Sequence, residues 1–377
     1  MDAKEQRPRR IVIAGGGTGG HLYPALAIAE AIKQRAHDAE IVFIGTAGKI
    51  EARVVPREGY RFETIWISGF RRTLSWSLLS FPFKLCVSIV QSFRLLRRLK
   101  PDVVIGTGGY VCGPPVFAAS VLGIPAVLQE QNSYPGVTTR MLAKRVNEVF
   151  LSFEKSRRLL PGRIKATIAG NPVRASVGGA SRSEAAAFFG FVPALKTVLV
   201  FGGSLGASSI NAAVRRHLEK LIAGSTQLLW QTGERDFSMA EGTAQALTPE
   251  EQRRIKVLPF IDRMDLAFGA SDIAVCRAGA STLAELALAG MPAILVPYPY
   301  AAADHQTENA HAVAEQGAAI FCADQEISAK LGELLISLLN DDARRAELSR
   351  NMRSLARPDA AAKIAEAVLG YAGYGHV

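Results

Sequence analysis

The same local pattern occurs twice in the chain, once in each half. Residues 11–32 read IVIAGGGTGGHLYPALAIAEAI, and residues 197–218 read TVLVFGGSLGASSINAAVRRHL. Each copy is an apolar run, then a glycine-rich loop, then a segment with apolar residues at helical spacing, such as Leu22, Leu26 and Ile32 in the first copy. A buried strand that turns through glycines into an amphipathic helix is typical of a parallel α/β sheet. Two copies therefore predict two such sheets.

Further apolar runs follow each copy, with room for a helix between most of them. They are IVFIG (41–45), DVVIG (102–106) and PAVLQ (125–129) in the first half, and QLLWQ (227–231), IKVLP (255–259), IAVCR (273–277) and AILVP (293–297) in the second. Strands that alternate with helices form a parallel sheet covered on both faces. We therefore predict an α/β protein of two Rossmann-like, doubly wound domains that face each other.

The chain length and one proline suggest where the domains divide. A chain of 377 residues is long for one domain. Pro172 biases Asn171 away from helix, which suits a linker. We expect a first domain over 1–170 and a second over 171–357. Residues 358–377 include an amphipathic helix, which we expect to pack back on the first domain.

Charge and cysteine content limit which partners and which cellular compartment are expected. The net charge is +10, with +13 in residues 1–170 and −3 in residues 171–377. The first half is thus suited to an anionic partner such as nucleic acid or a membrane surface, or it has a merely solvated basic face. The four cysteines lie far apart in sequence, which favours reduced thiols and a cytoplasmic setting. No apolar run is long and unbroken enough to predict a bilayer span or a signal peptide.

The first glycine loop, residues 15–20, contains the spacing G-x-G-x-x-G between a strand and a helix. This spacing suggests a dinucleotide site, which should have an acidic residue at the end of the second strand to bind a ribose. The run 41–45 ends instead in Gly45-Thr46-Ala47, so an NAD-dependent redox enzyme is disfavoured. Glycine backbone beside a helix N-terminus still predicts an anion site.

Two more features of the first half belong with this loop. Residues 106–110 form a second glycine loop after a neighbouring strand, and the two loops together suggest a diphosphate-sized pocket; the alternative is that the glycines only make tight turns. His21 follows the first loop, where it could be the general base for a substrate hydroxyl. The alternative for His21 is a helix-start histidine bonded to backbone.

The second half has a matching pair of loops. Gly202–Gly206 contains Ser204, whose hydroxyl can add a donor to the backbone amides. Gly279 and Ala280 precede a helix that we expect to begin at Ser281 or Thr282, with amides that can face a diphosphate. Glu285 lies one turn into that helix, where its carboxylate could accept both ribose hydroxyls. Thr282 and Glu285 also fit a capping box, which is the alternative. No Asp-x-Asp occurs in the chain, so we expect no metal or cofactor, and amides would stabilise a leaving diphosphate.

The segment 69–100 combines aromatic and aliphatic residues with flanking cations. This composition suits an interfacial patch that docks on anionic lipid. A buried helix pair with an exposed basic end is the alternative. The residues that we assign to the patch are Trp76, Leu79, Phe81 and Phe83, with Arg71, Arg72 and Lys84.

Taken together, these motifs resemble the MurG family of bacterial peptidoglycan glycosyltransferases. The matching pieces span nearly the whole chain and keep their order. They are GGTGGHLYPALA (16–27), GTGGYVCGP (106–114), EQN (130–132), GNPVR (170–174), GGSLGA (202–207), FIDRM (260–264), RAGASTLAE (277–285) and DHQTENA (304–310). The resemblance implies the GT-B fold, with the active site in the cleft between two domains.

The resemblance also implies an activity and a location. It implies inverting transfer of N-acetylglucosamine from UDP-GlcNAc to the 4-hydroxyl of undecaprenyl-diphospho-MurNAc-pentapeptide (lipid I), giving lipid II. The enzyme would rest as a peripheral protein on the cytoplasmic face of the inner membrane, bound to anionic inner-leaflet lipid. Its role in cell-wall synthesis would affect cell shape and division, and other cell-wall or division proteins are conceivable partners. Nucleic acid is not expected as a partner.

The resemblance also implies which residues form the site, because the binding residues of the family fall in the motifs that this sequence shares. Arg174 and the Ile261 backbone would lie near the uracil, Glu285 at the ribose, and Ser204 at the diphosphate. The other residues assigned to UDP-GlcNAc are Thr18, Gly19, Gly20, Asn132, Ala280, Ser281, Thr282, Leu283, Ala284 and Gln306. The residues assigned to the acceptor are Gly16, Gly17, Gly108, Gly109, Tyr110 and Glu130, with His21 as the catalytic residue.

Three positions depart from the family pattern. Leu205 replaces the usual Gln, Gln129 stands where many members have His, and His305 stands where some members have a second Gln. The residues alone leave other functions open, namely an NAD-dependent enzyme, a non-catalytic nucleotide-sugar or nucleic-acid binder, and a GT-B enzyme with another lipid acceptor. The negative charge of the second half argues against a continuous groove for nucleic acid.

Overall fold

The computed structural model describes residues 8–68, 76–203, 205–222, 225–301 and 304–375, without the side chains of 76–80. The chain forms two compact units. One comprises residues 1–174 together with 358–377, and the other comprises residues 175–357. The division lies at Arg174, a little beyond the expected boundary at Gly170.

The first unit alternates strands and helices along the chain. Its elements are β1 (Arg10–Ala14), α1 (Gly19–Arg35), β2 (Glu40–Gly45), α2 (Ile50–Arg57), β3 (Arg61–Thr64), α3 (Trp76–Leu99), β4 (Val103–Gly106), α4 (Gly113–Val121), β5 (Ala126–Glu130), α5 (Val137–Leu142), a 3₁₀ turn (Ala143–Arg145), β6 (Glu148–Leu151), α6 (Glu154–Arg157) and β7 (Ala166–Ile168).

The second unit repeats this alternation. Its elements are α7 (Arg182–Phe189), β8 (Lys196–Phe201), α8 (Ser208–Ile222), β9 (Thr226–Gln231), α9 (Glu234–Gln245), α10 (Pro249–Gln252), β10 (Ile255–Leu258), α11 (Met264–Ala270), β11 (Ile273–Cys276), α12 (Ala280–Ala289), β12 (Ala293–Leu295), α13 (His305–Ala314), β13 (Ala319–Phe321), α14 (Ile327–Asn340) and α15 (Asp342–Ser354). The last helix, α16 (Ala360–Tyr371), belongs to the first unit.

Both sheets are parallel and have the same winding. The strand order is β3-β2-β1-β4-β5-β6-β7 in the first unit and β10-β9-β8-β11-β12-β13 in the second. The order reverses between β1 and β4 in one sheet and between β8 and β11 in the other. Ligands of open α/β sheets bind outside the carboxyl ends of the strands at such a reversal. The doubly wound α/β prediction is confirmed, and the fold directs attention to the loops after these four strands.

Helix α1 is buried on more than one face because α16 packs against it. Leu22, Leu26 and Ile32 of α1 lie in one core cluster with Ile364 and Val368 of α16. This packing explains why α1 is apolar nearly all round instead of along one stripe. The C-terminal helix therefore completes the core of the first unit, and it fixes the helix that carries His21.

Four strands were not predicted from the sequence, namely β3, β6, β7 and β13. Three of them are at sheet edges. The sequence of β3 is RFET, half of it exposed, and β7 and β13 have only three residues each. Short edge strands need little apolar surface, so they leave a weak pattern in the sequence.

Candidate active site

The two glycine loops of the first unit lie side by side. Strands β1 and β4 are neighbours, and Ala14 at the end of β1 pairs with Gly106 at the end of β4. The loops that follow must therefore leave the sheet together. A Cβ on Gly15 would lie 1.9 Å from Oγ1 of Thr107 in the second loop, so only glycine permits this approach.

His21 lies in the first turn of α1 with its ring against the second glycine loop. A Cβ on Gly108 would lie 2.6 Å from the His21 Nδ1, and a Cβ on Gly109 would lie 3.2 Å from its Cδ2. The Nδ1 atom is 2.9 Å from Oε1 of Gln131. The ring is thus bonded to a side chain, and it is the His21 carbonyl that accepts a hydrogen bond, from Thr107 Oγ1 at 3.0 Å. The alternative of a ring bonded to backbone is not what the structure shows.

A buried carboxylate that the sequence reasoning missed supports the first loop. Glu51 of α2 is fully buried. Its Oε1 accepts hydrogen bonds from Thr46 N at 3.1 Å and Thr46 Oγ1 at 2.7 Å, and its Oε2 accepts one from Gly17 N at 2.9 Å. No acidic residue directly follows β2, but helix α2 places Glu51 at the same edge of the sheet. Because this carboxylate already binds three protein donors, it belongs to the loop and not to a ribose.

Tyr110 joins this cluster from the second loop. A Cβ on Gly17 would lie 3.2 Å from the Tyr110 ring, so the ring lies against the first loop. Burial and then the nearby Glu51 carboxylate raise the pKa of the Tyr110 hydroxyl, while a hydrogen bond with Thr46 acts in the opposite sense. Tyr110 is therefore a neutral hydroxyl at neutral pH, able to donate to an acceptor.

Glu130, at the end of β5, organises the loop that follows it. Its Oε1 accepts from the backbone N and the Nδ2 of Asn132, both at 3.1 Å, and its Oε2 accepts from Gly136 N at 2.9 Å and Thr139 Oγ1 at 2.6 Å. The side chain is buried. Contact of Glu130 with an acceptor stays a prediction; what the structure shows is that it orients Asn132.

The second unit has its own pair of adjacent loops. Phe201 at the end of β8 pairs with Cys276 at the end of β11. In the loop after β8, a Cβ on Gly206 would lie 2.0 Å from the carbonyl oxygen of Thr232, so glycine is required there. Ser204 lies outside the described residues. Leu205 is 86% exposed, so this side chain contributes little to the core.

Helix α12 opens the second loop of this pair. It begins at Ala280 with Gly279 as N-cap, one or two residues before the expected start. Leu283 N donates to Gly279 O at 3.0 Å, so the Leu283 and Ala284 amides belong to the helix, and those of the first turn, Ala280 to Thr282, point out of its end. Because Thr282 is not the N-cap, the capping-box alternative for Glu285 is wrong. Glu285 is half-buried in the second turn.

Side chains of this unit hold the neighbouring backbone. Oε1 of Gln231 accepts from Ile261 N at 2.9 Å, and its Nε2 donates to Gly203 O at 3.0 Å, linking the loop after β8 to the predicted uracil position. Gln306 Oε1 accepts from Tyr298 N at 3.0 Å. Sequence reasoning missed Gln231, and only its position at the end of a predicted strand pointed to it.

Arg174 lies in the first unit, although it was predicted to bind the uracil of the donor. Its guanidinium lies 3.2 Å from Glu58 Oε1 and 5.4 Å from the centre of the Tyr23 ring. Both partners belong to the same unit. Contact of Arg174 with uracil stays a prediction.

The predicted membrane patch is partly described. Phe83 is 64% exposed, and Trp66, which the sequence analysis did not include, is 51% exposed and meets Phe83 edge to face at 6.1 Å. Lys84 lies 5.6 Å from the Trp66 ring centre. Arg71 and Arg72 lie outside the described residues, as do the side chains of Trp76 and Leu79, and Phe81 is partly buried. The later part of α3 does pack against α4 and buries Leu96 and Leu99, as the helix-pair alternative expects. The exposed Phe83 and Trp66 lie outside that packed part, and docking of the patch on lipid stays a prediction.

None of the helices in the described ranges is long and apolar enough to cross a membrane.

Comparison with known proteins matches both halves of the chain to one family. Residues 11–151 match the glycosyltransferase family 28 N-terminal domain, and residues 197–364 match the glycosyltransferase family 28 C-terminal domain.

Curated relatives are similar over almost their whole length. Proteins named UDP-N-acetylglucosamine–N-acetylmuramyl-(pentapeptide) pyrophosphoryl-undecaprenol N-acetylglucosamine transferase include one from Salinibacter ruber, which is 42% identical over 97% of this chain and 98% of its own. The one from Flavobacterium psychrophilum is 40% identical over 96% of this chain and 97% of its own.

A solved structure agrees with both results. The crystal structure of Acinetobacter baumannii MurG has a TM-score of 0.70 and 29% identity, and it covers 96% of this chain and 100% of that one. The chain therefore belongs to glycosyltransferase family 28 and, within it, to the MurG N-acetylglucosaminyltransferases.

Proposed function

We propose that this protein transfers N-acetylglucosamine from UDP-GlcNAc to the 4-hydroxyl of lipid I, the undecaprenyl-diphospho-MurNAc-pentapeptide, and so makes lipid II. The observation that carries the proposal is the 40–42% identity to curated transferases of this specificity over nearly the full chain. The site fits, because each unit places two glycine loops at the strand reversal of its sheet.

The second unit would bind the donor. The first-turn amides of α12 and the loop after β8, with Ser204, would hold the diphosphate, since helix N-termini and glycine loops favour anions. The Glu285 carboxylate would accept the ribose hydroxyls. The Ile261 amide already donates to Gln231, so its carbonyl is the backbone group suited to a uracil N3–H. Gln306, Arg174 and Asn132 complete the proposed donor contacts.

The first unit would bind the acceptor and supply the base. Gly16, Gly17, Gly108 and Gly109 would face the lipid-linked diphosphate, and Tyr110 can donate to it. The acceptor hydroxyl attacks the anomeric carbon from the side opposite UDP. The new C–O bond forms as the bond to the diphosphate breaks, UDP leaves with that electron pair, and His21 takes the hydroxyl proton.

Stabilisation of the departing diphosphate falls to backbone amides in this mechanism. Oriented amides stabilise charge that develops in a transition state. We therefore propose transfer without a metal or other cofactor. The exposed Trp66 and Phe83 and the basic first half favour docking at an anionic membrane surface, which we propose to be the cytoplasmic face of the inner membrane.

The proposal is tested by transfer of radiolabelled GlcNAc from UDP-GlcNAc to a short-chain lipid I analogue with EDTA present. We expect labelled lipid product from the wild type and a strong loss with Glu285→Ala. Binding of UDP-GlcNAc without transfer would favour another lipid acceptor, and absence of both would contradict the proposal. Transfer that EDTA abolishes would contradict metal independence alone.

His21 gives a second test of the same mechanism. Loss of a general base should lower turnover by about 10²–10⁴-fold. His21→Ala should therefore show this loss while retaining UDP-GlcNAc affinity in calorimetry. Near-normal turnover in this variant would remove His21 from the mechanism and leave the transferase assignment in place.

A further inference from the structure

We propose that Gln131 is a positioning residue that holds the neutral His21 ring with its proton on Nδ1, so that Nε2 is the nitrogen that accepts the substrate proton. The role in catalysis rests on the function proposed above. The tautomer itself is a property of the protein, and it can be observed without substrate.

The orientation of the Gln131 amide follows from its neighbours. The Gln131 side chain is buried, and its Nε2 lies 2.7 Å from the Thr107 carbonyl oxygen. A second carbonyl, that of Gln129, lies 3.4 Å away. Backbone carbonyls only accept hydrogen bonds, so the atom that faces them must be the NH₂ group. The Oε1 atom of Gln131 is thereby directed toward His21.

This orientation determines which ring nitrogen is protonated. Gln131 Oε1 lies 2.9 Å from His21 Nδ1 and can only accept, so Nδ1 must donate. In a neutral imidazole one nitrogen carries the proton and the other carries the lone pair. The lone pair is then on Nε2, as a general base at that position requires.

The second glycine loop holds the ring in place. Any side chain at Gly108 would begin 2.6 Å from Nδ1, and one at Gly109 would begin 3.2 Å from Cδ2. The ring therefore lies in close contact with the glycine backbone of this loop. A half-turn of the ring would replace Nδ1 with a carbon and leave the buried Gln131 oxygen without a donor, which is unfavourable.

The support behind Gln131 is neutral. Gln131 Nε2 also donates to Gln129 Oε1, and Gln129 Nε2 lies 3.4 Å from both Asn171 Oδ1 and Ser152 Oγ. These groups are amides and a hydroxyl, which orient the ring by hydrogen bonds and carry no charge. In this chain two glutamines, Gln129 and Gln131, therefore form the hydrogen-bonded support of the His21 ring. Gln129 stands at the position where many family members have His.

The tautomer can be read directly by NMR. Protein with ¹⁵N-labelled imidazole rings would be observed by long-range ¹H–¹⁵N correlation at a pH where His21 is neutral, with His21→Gln used to assign the signal. We expect the Nδ1–H pattern in the wild type and a shift toward Nε2–H in Gln131→Met. An Nε2–H pattern in the wild type would overturn the proposal, whether or not the enzyme transfers GlcNAc.

Kinetics test whether Gln131 acts through His21. Gln131→Met should lower kcat by roughly 10- to 100-fold, below the ~10²–10⁴-fold of losing the base itself, with KM for UDP-GlcNAc unchanged. Gln227→Met is the matched control, because Gln227 is a buried glutamine in the second unit that bonds Val192 and Thr197. It should lose stability without a fall in kcat.

A double variant tests whether Gln131 affects kcat through His21 or independently of it. In a His21→Ala background, Gln131→Met should have little further effect on kcat, because the base it positions is gone. An equal fall in both backgrounds would overturn the proposal. If Gln131→Met does not fold, the wild-type NMR spectrum decides the tautomer by itself. Absence of transfer in the wild type would contradict the proposed function, and the spectrum would still report on Gln131.

Discussion

The carboxylate of Glu51 lies 2.9 Å from the backbone N of Gly17, although Glu51 is in helix α2 and Gly17 is in the loop after β1. The same carboxylate binds both donors of Thr46. Gly16 must be glycine for this contact, since a Cβ there would lie 2.5 Å from the Glu51 side chain. The buried Glu51 carboxylate therefore stabilises the conformation of the first glycine loop through these hydrogen bonds.

Glu51→Gln should destabilise the protein. The amide would direct a donor at either Gly17 N–H or the Thr46 donors, leaving buried donors facing each other at a cost of about 1–3 kcal/mol. Urea unfolding followed by tryptophan fluorescence would measure the shift. Glu366→Gln makes the same chemical change at an exposed position of α16 and should cost little. Equal midpoints for the two variants would contradict the role of Glu51.

Glu285 can be tested through the ribose itself. If its carboxylate accepts the ribose hydroxyls, wild type should bind UDP-GlcNAc more tightly than the 2′-deoxyuridine analogue. Hydrogen bonds to a charged group contribute about 1.5–3 kcal/mol, which corresponds to roughly 10- to 150-fold in Kd. Glu285→Ala should weaken UDP-GlcNAc binding and abolish the discrimination. A variant that still discriminates between the two nucleotides would place the ribose elsewhere.

Docking at a membrane should depend on the exposed rings of the first unit. Trp66→Ser with Phe83→Ser should lower binding to vesicles that contain anionic lipid by about 10-fold or more, since burying one large apolar side chain contributes roughly 1.5–3 kcal/mol. Binding should also weaken as salt rises. Phe188→Ser removes a ring that is 58% exposed in the second unit and serves as the control. Equal flotation of all three proteins would contradict the patch.

The C-terminal segment should make stability depend on pH at the alkaline end. Burial, and then the hydrogen bond to Asp38, raises the pKa of Tyr374 to about 12. An unfolded tyrosine loses its proton near pH 10, so the folded state retains the proton over a higher range. Stability from this group is complete below about pH 10 and should fall between about pH 10 and 12.

Tyr374→Phe is the matched comparison for that pH dependence. The variant lacks the hydroxyl that bonds Asp38 Oδ2 at 3.1 Å, so its stability should fall less steeply over the same range. Unfolding midpoints measured at intervals from pH 9 to 12 would show the difference. Parallel curves for the two proteins would mean that Tyr374 titrates alike in both states.

The sequence did not predict the start of α12 or the strand β3 correctly, because a short segment can fit more than one local structure. Thr282 and Glu285 have the spacing of a capping box, but α12 begins at Ala280, with Gly279 as its N-cap. Strand β3 was missed because an edge strand with the sequence RFET has no apolar periodicity. Helix starts and edge strands depend on contacts with neighbours, and such contacts leave little trace in a short window of sequence.

Local sequence patterns are enough to predict the two α/β sheets, the four glycine loops and the position of His21 at a helix start. These features depend on local periodicity and on glycines, which act over a few residues. The residues that surround these features follow from contacts between elements, which the sequence does not show. Glu51 and Gln131 reach the site from distant parts of the chain. The C-terminal helix α16 was expected to pack on the first domain, but only the structure shows that it packs against α1. Their roles arise from buried hydrogen bonds and packing between elements, which form only when the sheet brings those elements together.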